Sequence, residues 1–267
     1  MAKPKKVPCC LTIAGSDSGG GAGVQADLNT FAALGVHGTS AVTCLTAQNP
    51  REVLAVQSSH PDMVEAHVAA VAAGFDVLAC KTGMLYDRAI IERVASLFPE
   101  GKRFPLVVDP VSVATSGARL LKLSALNALR NQLLPRALVV TPNVPEAEAL
   151  TGLAVRSPEA LRTAARSLHE KHGCAVVVTG GHLKGLKESV DLFYDGTTEL
   201  MLTAPRVARV RAHGSGCTFA AALTAFLALG HALPKAVGEA KEYVTGAIRK
   251  HRRVGRHAVL NWRWQER

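Results

Sequence analysis

Residues 7–35 read VPCCLTIAGSDSGGGAGVQADLNTFAALG, and this stretch decides the fold class. It begins with an apolar, β-prone run from Val7 to Ala14, which predicts a buried strand. The glycine-rich residues 15–23 follow and are typical of a tight connection between a strand and a helix. Residues 24–34 then repeat apolar side chains at helical spacing, and Gly35 predicts the end of that helix. The stretch is therefore one strand–loop–helix unit.

The same alternation continues along the chain and predicts an α/β fold, a mostly parallel sheet with helices on both faces. The further predicted strands are 39–46, 77–81, 106–109, 137–141 and 175–179, with a β-hairpin at 190–203. The further predicted helices are 62–73, 87–98, 124–134, 158–172, 217–229 and 234–250. No repeat or linker divides the sequence, so we expect one domain over residues 1–267. In such sheets ligands bind outside the carboxyl ends of the strands, and each polar or glycine-rich cluster here follows a strand.

The composition indicates an enzyme with a sizeable core. Of 267 residues, 48% are hydrophobic and 19% are charged, which excludes a disordered tail or a disulfide-stapled mini-protein. The six cysteines form no C-x-x-C pair and have no histidines at zinc spacing. The apolar stretch behind the basic leader is shorter than a signal-peptide core, and the apolar run at 218–229 is too short to cross a bilayer. We expect a cytoplasmic enzyme with no membrane contact.

The charge is strongly positive, with a formal net charge of +10. The excess lies largely at the ends, where the leader carries three lysines and residues 249–267 carry seven Lys or Arg. Without a recognition helix or interleaved aromatic residues, this pattern argues against nucleic acid as the main partner. We expect basic, flexible ends at residues 1–6 and about 251–267. Short strands near 47–56 and 190–203 are predicted to form flaps or the edge of a homodimer.

The segment HGSGCT, residues 213–218, is the strongest local signal for a binding site. Its two glycines open directly into an alanine-rich helix, whose first N–H groups and dipole bind anions, most often a phosphate. The same dipole favours a thiolate, so Cys217 is a candidate base or a polar group beside a transferred phosphoryl. A small cysteine that caps a core helix explains the position equally well. No acid is evident that would orient His213 for a Cys–His nucleophilic pair.

The first loop, residues 15–23, resembles a nucleotide loop only superficially. It lacks the G-x-x-x-x-G-K-[ST] spacing, and no acidic residue ends the second strand to bind a ribose. We therefore expect neither a Walker-type loop nor NAD. Such a loop allows close approach of backbone to a small ligand, with Asp17 or Asp27 available for hydrogen bonds. A flexible connection is the alternative interpretation.

A candidate magnesium site lies farther along the chain. Residues 141–146, TPNVPE, end a strand and begin a helix, so Asn143 and Glu146 fall within one turn. An amide and a carboxylate so placed hold a hydrated Mg²⁺, although helix capping is an equally good explanation. Asp109 at the end of the preceding strand adds a second carboxylate. Together these residues suggest metal-assisted phosphoryl transfer.

Nine short segments lie in a specific order: LTIAGSDSGGGAGVQADL (11–28), TAQN (46–49), KTGML (81–85), VVDPV (107–111), TPNVPEAEALTG (141–152), GGHL (180–183), VDLFYDG (190–196), APRV (204–207) and HGSGCT (213–218). In combination they resemble the hydroxymethylpyrimidine and phosphomethylpyrimidine kinases of thiamine biosynthesis, within the ribokinase-like superfamily. The resemblance covers the chain from about Val7 to Ala247. It implies a three-layer α/β/α fold with a central, mostly parallel sheet and a small β-flap.

The resemblance implies a reaction and a substrate site. The reaction is ATP-dependent phosphorylation of 4-amino-5-hydroxymethyl-2-methylpyrimidine on its hydroxymethyl oxygen, followed by a second phosphorylation to the diphosphate. The implied pyrimidine-binding residues are Gly15, Asp27, Gln48, Met84 and Val111. Gln48 would read the edge of the ring through its amide.

The resemblance also implies a phosphate site and a metal site. Gly214, Ser215, Gly216 and the backbone of Cys217 would form the anion hole, with cysteine where most of the superfamily has an aspartate base. Asp109 and Glu146 would hold Mg²⁺ together with Asn143. The implied nucleotide-binding residues are Asn143, Thr179 and Gly181.

The chain departs from the family pattern at two lysines and at its end. Thr115 and Thr179 stand where family members usually have lysine, and a hydroxyl supplies a hydrogen bond but no charge to a phosphate. Lys184 is a candidate to compensate. The usual closing G-H-G-P-L-N has become HAVLN at 257–261, which leaves the role of the tail open. Two alternatives therefore stand beside the pyrimidine kinase: a pyridoxal or pyridoxine kinase, and a pyrimidine-binding protein of the same fold with impaired catalysis.

Overall fold

The structure is a computed structural model that describes residues 6–99, 104–112, 123–183, 185–207, 210 and 213–266. The strands are β1 (Cys9–Asp17), β2 (His37–Gln48), β3 (Val53–Ser58), β4 (Val77–Thr82), β5 (Leu106–Val108), β6 (Val139–Val140), β7 (Ala175–Thr179), β8 (Glu188–Tyr194), β9 (Glu199–Pro205), β10 (Arg252–Val254) and β11 (His257–Val259). The α-helices are α1 (Gly23–Ala33), α2 (Pro61–Gly74), α3 (Arg88–Ser96), α4 (Leu123–Ala128), α5 (Val144–Thr151), α6 (Pro158–His172), α7 (Ser215–Ala228) and α8 (Leu233–Arg249).

The described strands β1 to β9 form one sheet in the order β3-β2-β1-β4-β5-β6-β7-β8-β9. The centre, from β2 to β7, is parallel, whereas β3 pairs antiparallel with β2 and the β8–β9 hairpin continues antiparallel beyond β7. The expectation of a mostly parallel sheet is confirmed. The parallel centre brings the carboxyl ends of six strands to one edge of the sheet.

Helices cover both faces of the sheet, because neighbouring strand residues point to opposite sides. Val108 on β5 is part of the core shared with α3 to α6, whereas the adjacent Val107 packs with Phe219 of α7 and Tyr243 of α8. Phe31 of α1 joins a smaller cluster with α7 on that second side. The three-layer α/β/α expectation is therefore confirmed.

Helix α7 is the apolar run that the sequence predicts to be a buried helix, and the structure confirms this. Its alanines are almost all buried, and their small side chains let it pack closely against both α1 and α8. None of the described helices combines the length and the apolar character needed to cross a bilayer. This helix carries the segment 213–218 at its amino end, so the packing of α7 fixes the position of that segment.

The helix predicted at 124–134 is only partly regular. Its α-helical part, α4, ends at Ala128, and the chain continues as a π-helical turn at Leu129–Leu133 and a 3₁₀ turn at Leu134–Arg136. Pro135 explains the end, because proline has no N–H to donate and crowds the preceding turn. In contrast, the predicted helix 158–172 and strand 175–179 have those bounds in the structure.

The carboxyl-terminal tail corrects the expectation of a flexible basic end. Strands β10 and β11 form a hairpin, and two tryptophans after it hold the tail on the helices. The Trp262 indole donates to Thr218 Oγ1 at 3.0 Å, and the Trp264 indole donates to the carbonyl of Tyr243 at 3.0 Å. The Trp264 ring lies directly over Gly246, where a Cβ would meet it at 2.2 Å. The sequence missed this because the positive charge of the tail hides the anchoring role of its aromatic residues.

Candidate active site

A cavity of about 940 Å³ lies at the carboxyl ends of the parallel strands. It extends from the end of β1 and the turn after β4 to the first turns of α5 and α7 and the cavity-facing side of α8. Among the described residues, every site residue suggested by the sequence lines this cavity except Asp27. The segments that the sequence spreads over two hundred residues are thus brought together as the strand-end argument predicts.

The segment 213–218 forms an anion cradle at the start of α7. Gly214 has a φ of +80°, and a Cβ there would lie 1.8 Å from the carbonyl oxygen of Gly21, so both the backbone conformation and the space require glycine. Helix α7 begins at Ser215, and the first N–H groups of a helix have no partner within it. Ser215, Gly216 and Cys217 all line the cavity. This backbone is suited to hold a phosphate.

Burial opposes ionisation of the Cys217 side chain. Burial raises the pKa of its thiol to about 12, and the nearby positive charge of Lys81 only partly opposes this. Desolvation of the thiolate opposes the effect of the helix dipole, and a role of the Cys217 thiol as a base stays a prediction. The Cys217 backbone remains part of the anion cradle.

Asp17 organises the glycine-rich first loop and joins it to the last one. Its carboxylate accepts hydrogen bonds from the backbone N–H groups of Gly19, Gly21 and Ala22, at 2.8 to 3.1 Å. It also accepts from His213 Nε2 at 3.0 Å. Burial acts to raise the pKa of Asp17, but the His213 and backbone hydrogen bonds hold it below its usual range. The acid that orients His213, which no sequence pattern reveals, is therefore Asp17.

Gln48 lies at the same rim of the cavity. Its amide Nε2 is 3.2 Å from His213 Nε2, and its Oε1 lies 3.3 Å from the Thr46 hydroxyl. The backbone of Gln48 is held by Ser18, whose hydroxyl bonds to both its N–H and its carbonyl at 2.8 Å. The side chain is thus positioned by two loops at once, as an amide that reads a ring edge requires.

The floor of this end of the cavity is formed by small and sulfur-containing residues. A Cβ on Gly15 would lie 2.7 Å from Cys44 Sγ and 3.4 Å from Met84 Sδ, so glycine keeps this space open. Cys44 and Met84 are buried in one cluster with Val111 beside them. These apolar surfaces are suited to the faces of a flat heterocycle, and Gln48 supplies the polar contact at its edge.

Asp27 lies behind the cavity wall instead of in it, which corrects the expectation that it binds substrate directly. Its side chain is fully buried, and Oδ2 accepts from the Thr12 hydroxyl at 2.6 Å and from Lys81 Nζ at 2.9 Å. Burial of Lys81 acts to lower its pKa, but the neighbouring carboxylate of Asp27 holds the pKa of Lys81 above its usual range. Lys81 does line the cavity. A lysine inside an otherwise apolar strand is the sequence signal for such a buried pair.

The carboxylates predicted to hold Mg²⁺ lie together at the next strand ends. Asn143 and Glu146 form a capping box on α5, with Glu146 Oε2 accepting from Asn143 N at 2.9 Å and Asn143 Oδ1 accepting from Glu146 N at 3.0 Å. Glu146 Oε1 accepts from Ser112 N at 3.2 Å. The capping explanation is therefore confirmed, and it leaves Glu146 with both carboxylate oxygens engaged.

Asp109 differs from Glu146 because its Oδ2 is buried and has no hydrogen-bond partner within the described residues. Burial raises the pKa of Asp109 to about 6, and burial together with the charge of Asp109 raises the pKa of Glu146 to about 8. The charge of Lys81 only partly opposes the effect of burial on Asp109. The described residues contain no cluster of three metal-ligating side chains. These two carboxylates nevertheless suit Mg²⁺, which usually keeps several waters and takes one or two protein carboxylates.

The opposite end of the cavity contains charged residues that the sequence analysis did not select. Lys241 Nζ on α8 is 2.7 Å from Asp191 Oδ2 on β8, and Asp191 Oδ1 accepts from Gly180 N at 2.9 Å. The Arg206 guanidinium donates to the carbonyls of Gly181, Leu183 and Glu188 and so holds the loop after β7. Thr179 and Gly181 line the cavity beside these groups. Thr115 and Lys184 lie outside the described residues.

The fold is shared with a solved kinase structure. The pyridoxal kinase of Bacillus subtilis, solved as an ADP complex, superposes with a TM-score of 0.89 at 37% sequence identity, over 97% of this chain and 99% of that one. A mostly parallel sheet with an anion cradle at its carboxyl edge thus defines a kinase of the ribokinase-like class. The sequence comparisons narrow this further, because the profile of the phosphomethylpyrimidine kinase family matches residues 17–261. The chain belongs to the phosphomethylpyrimidine kinase family.

Two relatives support this assignment. The hydroxymethylpyrimidine/phosphomethylpyrimidine kinase of Rhizobium meliloti is 50% identical over 240 residues, which are 89% of each chain. The thiamine biosynthesis bifunctional protein ThiED of Geobacter sulfurreducens is 44% identical over 252 residues, which are 94% of this chain but 51% of that longer protein. The resemblance that the sequence motifs carry is confirmed, as is the expectation of an enzyme that acts as a kinase.

Proposed function

We propose that this chain transfers the γ-phosphoryl group of ATP to the hydroxymethyl oxygen of 4-amino-5-hydroxymethyl-2-methylpyrimidine, and then phosphorylates the resulting monophosphate to the diphosphate. One observation carries the proposal: the anion cradle at Gly214–Cys217 and the pocket around Gln48 and Met84 open into the same cavity. Sequence relatives that are hydroxymethylpyrimidine/phosphomethylpyrimidine kinases support this substrate. The ADP complex of the structural neighbour supports ATP as the phosphoryl donor.

The chemistry is an in-line displacement. A bond forms between the hydroxymethyl oxygen and the γ-phosphorus, and the bond from that phosphorus to the oxygen bridging it to the β-phosphorus breaks, leaving ADP. In such loose transition states catalysis comes mainly from positioning and charge stabilisation. The cradle N–H groups hold the transferred phosphoryl, while Gln48 and the floor around Met84 orient the pyrimidine. Burial raises the pKa of the Cys217 thiol to about 12, so in this mechanism the hydroxyl proton passes to an oxygen of the transferred phosphoryl group as the new O–P bond forms, and a resident thiolate does not abstract it beforehand.

Magnesium is proposed to accompany ATP. Asp109 would hold it through the unpartnered Oδ2, with Glu146 and Asn143 orienting its waters. When bound, the ion supplies positive charge beside the phosphate oxygens. Excess EDTA should therefore abolish turnover, and added Mg²⁺ should restore it.

The test of the proposed function is product formation by the purified protein. Mg-ATP is supplied separately with the hydroxymethylpyrimidine, with its monophosphate and with pyridoxine, and both ADP and product mass are measured. Turnover of the first two substrates supports the proposal. Turnover of the hydroxymethylpyrimidine alone limits the activity to the first phosphorylation. Pyrimidine binding without turnover of any substrate identifies a catalytically impaired binding protein.

A second candidate function is phosphorylation of pyridoxal or pyridoxine. The observation that favours it is the close superposition on the Bacillus subtilis pyridoxal kinase, which covers 99% of that chain. Both acceptors are flat heterocycles that carry a hydroxymethyl group, so the same floor of Gly15, Cys44 and Met84 serves either. Turnover of pyridoxine alone in the same assay would transfer the assignment to this second function.

Two further properties are proposals. All six cysteines are free thiols, and this favours the reducing cytoplasm. A homodimer would form at the edge of the sheet made by β2 and β3, where Leu45 on β2 and Leu54 on β3 are more than half exposed. Analytical ultracentrifugation of the protein and of a Leu54→Lys variant tests this: a dimer that the substitution dissociates supports the β3 edge, and a monomeric parent protein refutes the proposal.

A further inference from the structure

Lys241 is a nearly buried cation at the nucleotide end of the cavity. Its side chain is 9% exposed, and its Nζ lies 2.7 Å from Asp191 Oδ2 and 3.2 Å from Ser189 Oγ. Asp191 is held in turn by the N–H of Gly180 on its other oxygen. An ammonium group has three N–H donors, and these contacts engage two of them. The third is available to a ligand, since Lys241 is one of the residues that line the cavity.

The helix that carries Lys241 presents one continuous face to the cavity. Lys241, Val244, Thr245 and Ile248 all line it, and their spacing of three, four and seven residues places them on one side of α8. The apolar part of this face is suited to a flat base. Lys241 is at the amino-terminal end of the face, and its partner Asp191 accepts from Gly180 N and lies opposite Thr179 in the strand register. A nucleotide along this face would therefore place its phosphates near Lys241.

The other described cations that line the cavity are differently engaged. Lys81 is paired with Asp27 on the pyrimidine side, next to Gly83. The guanidinium group of Arg206 donates hydrogen bonds to three backbone carbonyls. Thr179 is uncharged, and it lies directly opposite Asp191 in the register of β7 and β8. Of these three cations, Lys241 has a pre-positioned N–H donor at the nucleotide end.

We propose that Lys241 binds the phosphates of the nucleotide and supplies the positive charge that Thr179 does not. Asp191 and Ser189 hold its ammonium group in place before the nucleotide arrives, so that little side-chain entropy is lost on binding. This inference rests on the proposed function only for the identity of the nucleotide as ATP or ADP. It concerns binding, and it can be measured without turnover.

The experiment compares the binding of ADP and of adenosine by calorimetry in the full-length protein and its variants. Lys241→Met should weaken ADP binding about tenfold or more, because a charge-assisted hydrogen bond is lost, and should leave adenosine binding unchanged. Thr179→Lys in the Lys241→Met background should restore ADP binding, since residue 179 lies opposite Asp191. Lys235→Met is the matched control, because this lysine is on the same helix but is exposed and paired with Glu239. Lys235→Met should change the binding affinity of neither ADP nor adenosine.

A purely structural role of Lys241 gives a different pattern. If the lysine only neutralises Asp191, the double variant Lys241→Met/Asp191→Asn, which has no unpaired buried charge, will bind ADP as the parent protein does, and the inference is overturned. If Lys241→Met fails to fold, this double variant carries the test, and weak ADP binding by it supports the inference. Unchanged ADP binding in Lys241→Met, or no rescue by Thr179→Lys, overturns it. If Lys241→Met loses ADP binding while the parent protein phosphorylates none of the acceptors, the inference stands and the proposed function is refuted.

Discussion

Asp17 and His213 are 196 residues apart in the chain, yet Asp17 Oδ2 and His213 Nε2 lie 3.0 Å apart at the rim of the cavity. The contact joins the first loop of the sheet to the loop that precedes the anion cradle. His213 also contacts Gln48, and a Cβ on Gly21 would lie 2.8 Å from its ring. The pyrimidine end and the phosphate end of the site are therefore connected through one histidine.

This connection predicts a larger loss for Asp17 than for His213. Asp17→Asn replaces one carboxylate oxygen by an NH2 group, which cannot accept the N–H bonds of Gly21 and Ala22 that Oδ2 accepts, so the loop and Gln48 should both shift. We expect the KM for the pyrimidine to rise about tenfold or more, because these part-buried donors lose their acceptor. His213→Ala removes one of these contacts and should raise the KM by a smaller factor. Steady-state kinetics with the pyrimidine varied at saturating Mg-ATP measures both.

The control is Asp195→Asn. That carboxylate also accepts backbone N–H bonds in a turn, but it lies in the β8–β9 hairpin away from the cavity lining. It should leave the KM unchanged. Equal losses for Asp17→Asn and His213→Ala would show that the histidine contact alone matters and that the loop bonds of Asp17 do not.

The raised pKa of the Cys217 thiol predicts a mild effect of its replacement. A general base typically contributes about 10²- to 10⁴-fold to the rate, and its loss should lower kcat by that much. Because burial raises the pKa of this thiol to about 12, we expect Cys217→Ser to keep kcat within about tenfold. Alkylation of Cys217 by iodoacetamide should also be slow at pH 7.5 and accelerate up to pH 10, since the thiolate is the reactive form.

A fall of kcat by about three orders of magnitude in Cys217→Ser, with ADP binding retained, would contradict the expected mild effect. It would identify the Cys217 thiol as the catalytic base. Cys44 is the control for the labelling, because its thiol is also buried and its pKa is raised to about 11. Peptide mass spectrometry separates the two sites.

The order of the layers and the strand-end location of the site were predictable, whereas the partners of individual charges were not. Strand β7 and helix α6 have the predicted bounds because their hydrophobic periodicity and their caps agree locally. Asp27 was misplaced because spacing places it next to a binding loop but does not show which way its side chain points. Its partner Lys81 is 54 residues away, on another strand. Long-range ion pairs of this kind leave no local pattern in one sequence.

The carboxyl-terminal tail also has long-range contacts that its sequence does not reveal. Its charge predicts a solvated end, but burial of Leu260 and the bonds of Trp262 and Trp264 hold it against α7 and α8. Cys217 shows a different limit of the sequence. The dipole of α7 is visible in the sequence, but the depth at which the thiol is buried depends on how the other loops close over it.

Asp109 predicts a trade between stability and activity. Its folded pKa of about 6 lies above the usual value of an aspartate, so the charged form is disfavoured by folding. The contribution of this group to stability is therefore complete below its unfolded pKa and is lost as the pH rises through about 6. At pH 7.5, Asp109→Asn should stabilise the protein by on the order of 2 kcal/mol and at the same time reduce turnover strongly.

Thermal unfolding in the absence of Mg²⁺ checks this, with the Tm of both proteins followed from pH 4.5 to pH 8. The Tm difference should be small at pH 4.5 and grow toward pH 8. Glu199→Gln is the control. The hydrogen bond from Arg162 lowers the pKa of the Glu199 carboxylate, whereas burial raises that of Asp109. A lower Tm for Asp109→Asn at pH 7.5 would mean that the buried charge is compensated, contrary to its unpartnered Oδ2.

The tail predicts an effect on the anion cradle through Trp262. Its indole N–H donates to the hydroxyl of Thr218, which is fully buried and follows Cys217 directly in the first turn of α7. Trp262→Phe removes this hydrogen bond, so we expect a loss of about 0.5–1.5 kcal/mol in the free energy of unfolding and a few-fold higher KM for ATP. Trp264→Phe removes an equivalent bond, to the Tyr243 carbonyl on α8, and is the matched control. It should cost similar stability but leave the KM for ATP nearly unchanged, because Tyr243 does not line the cavity. Equal KM values in the two variants would show that the tail only stabilises the fold, whereas a rise confined to Trp262→Phe means that the tail positions the start of α7.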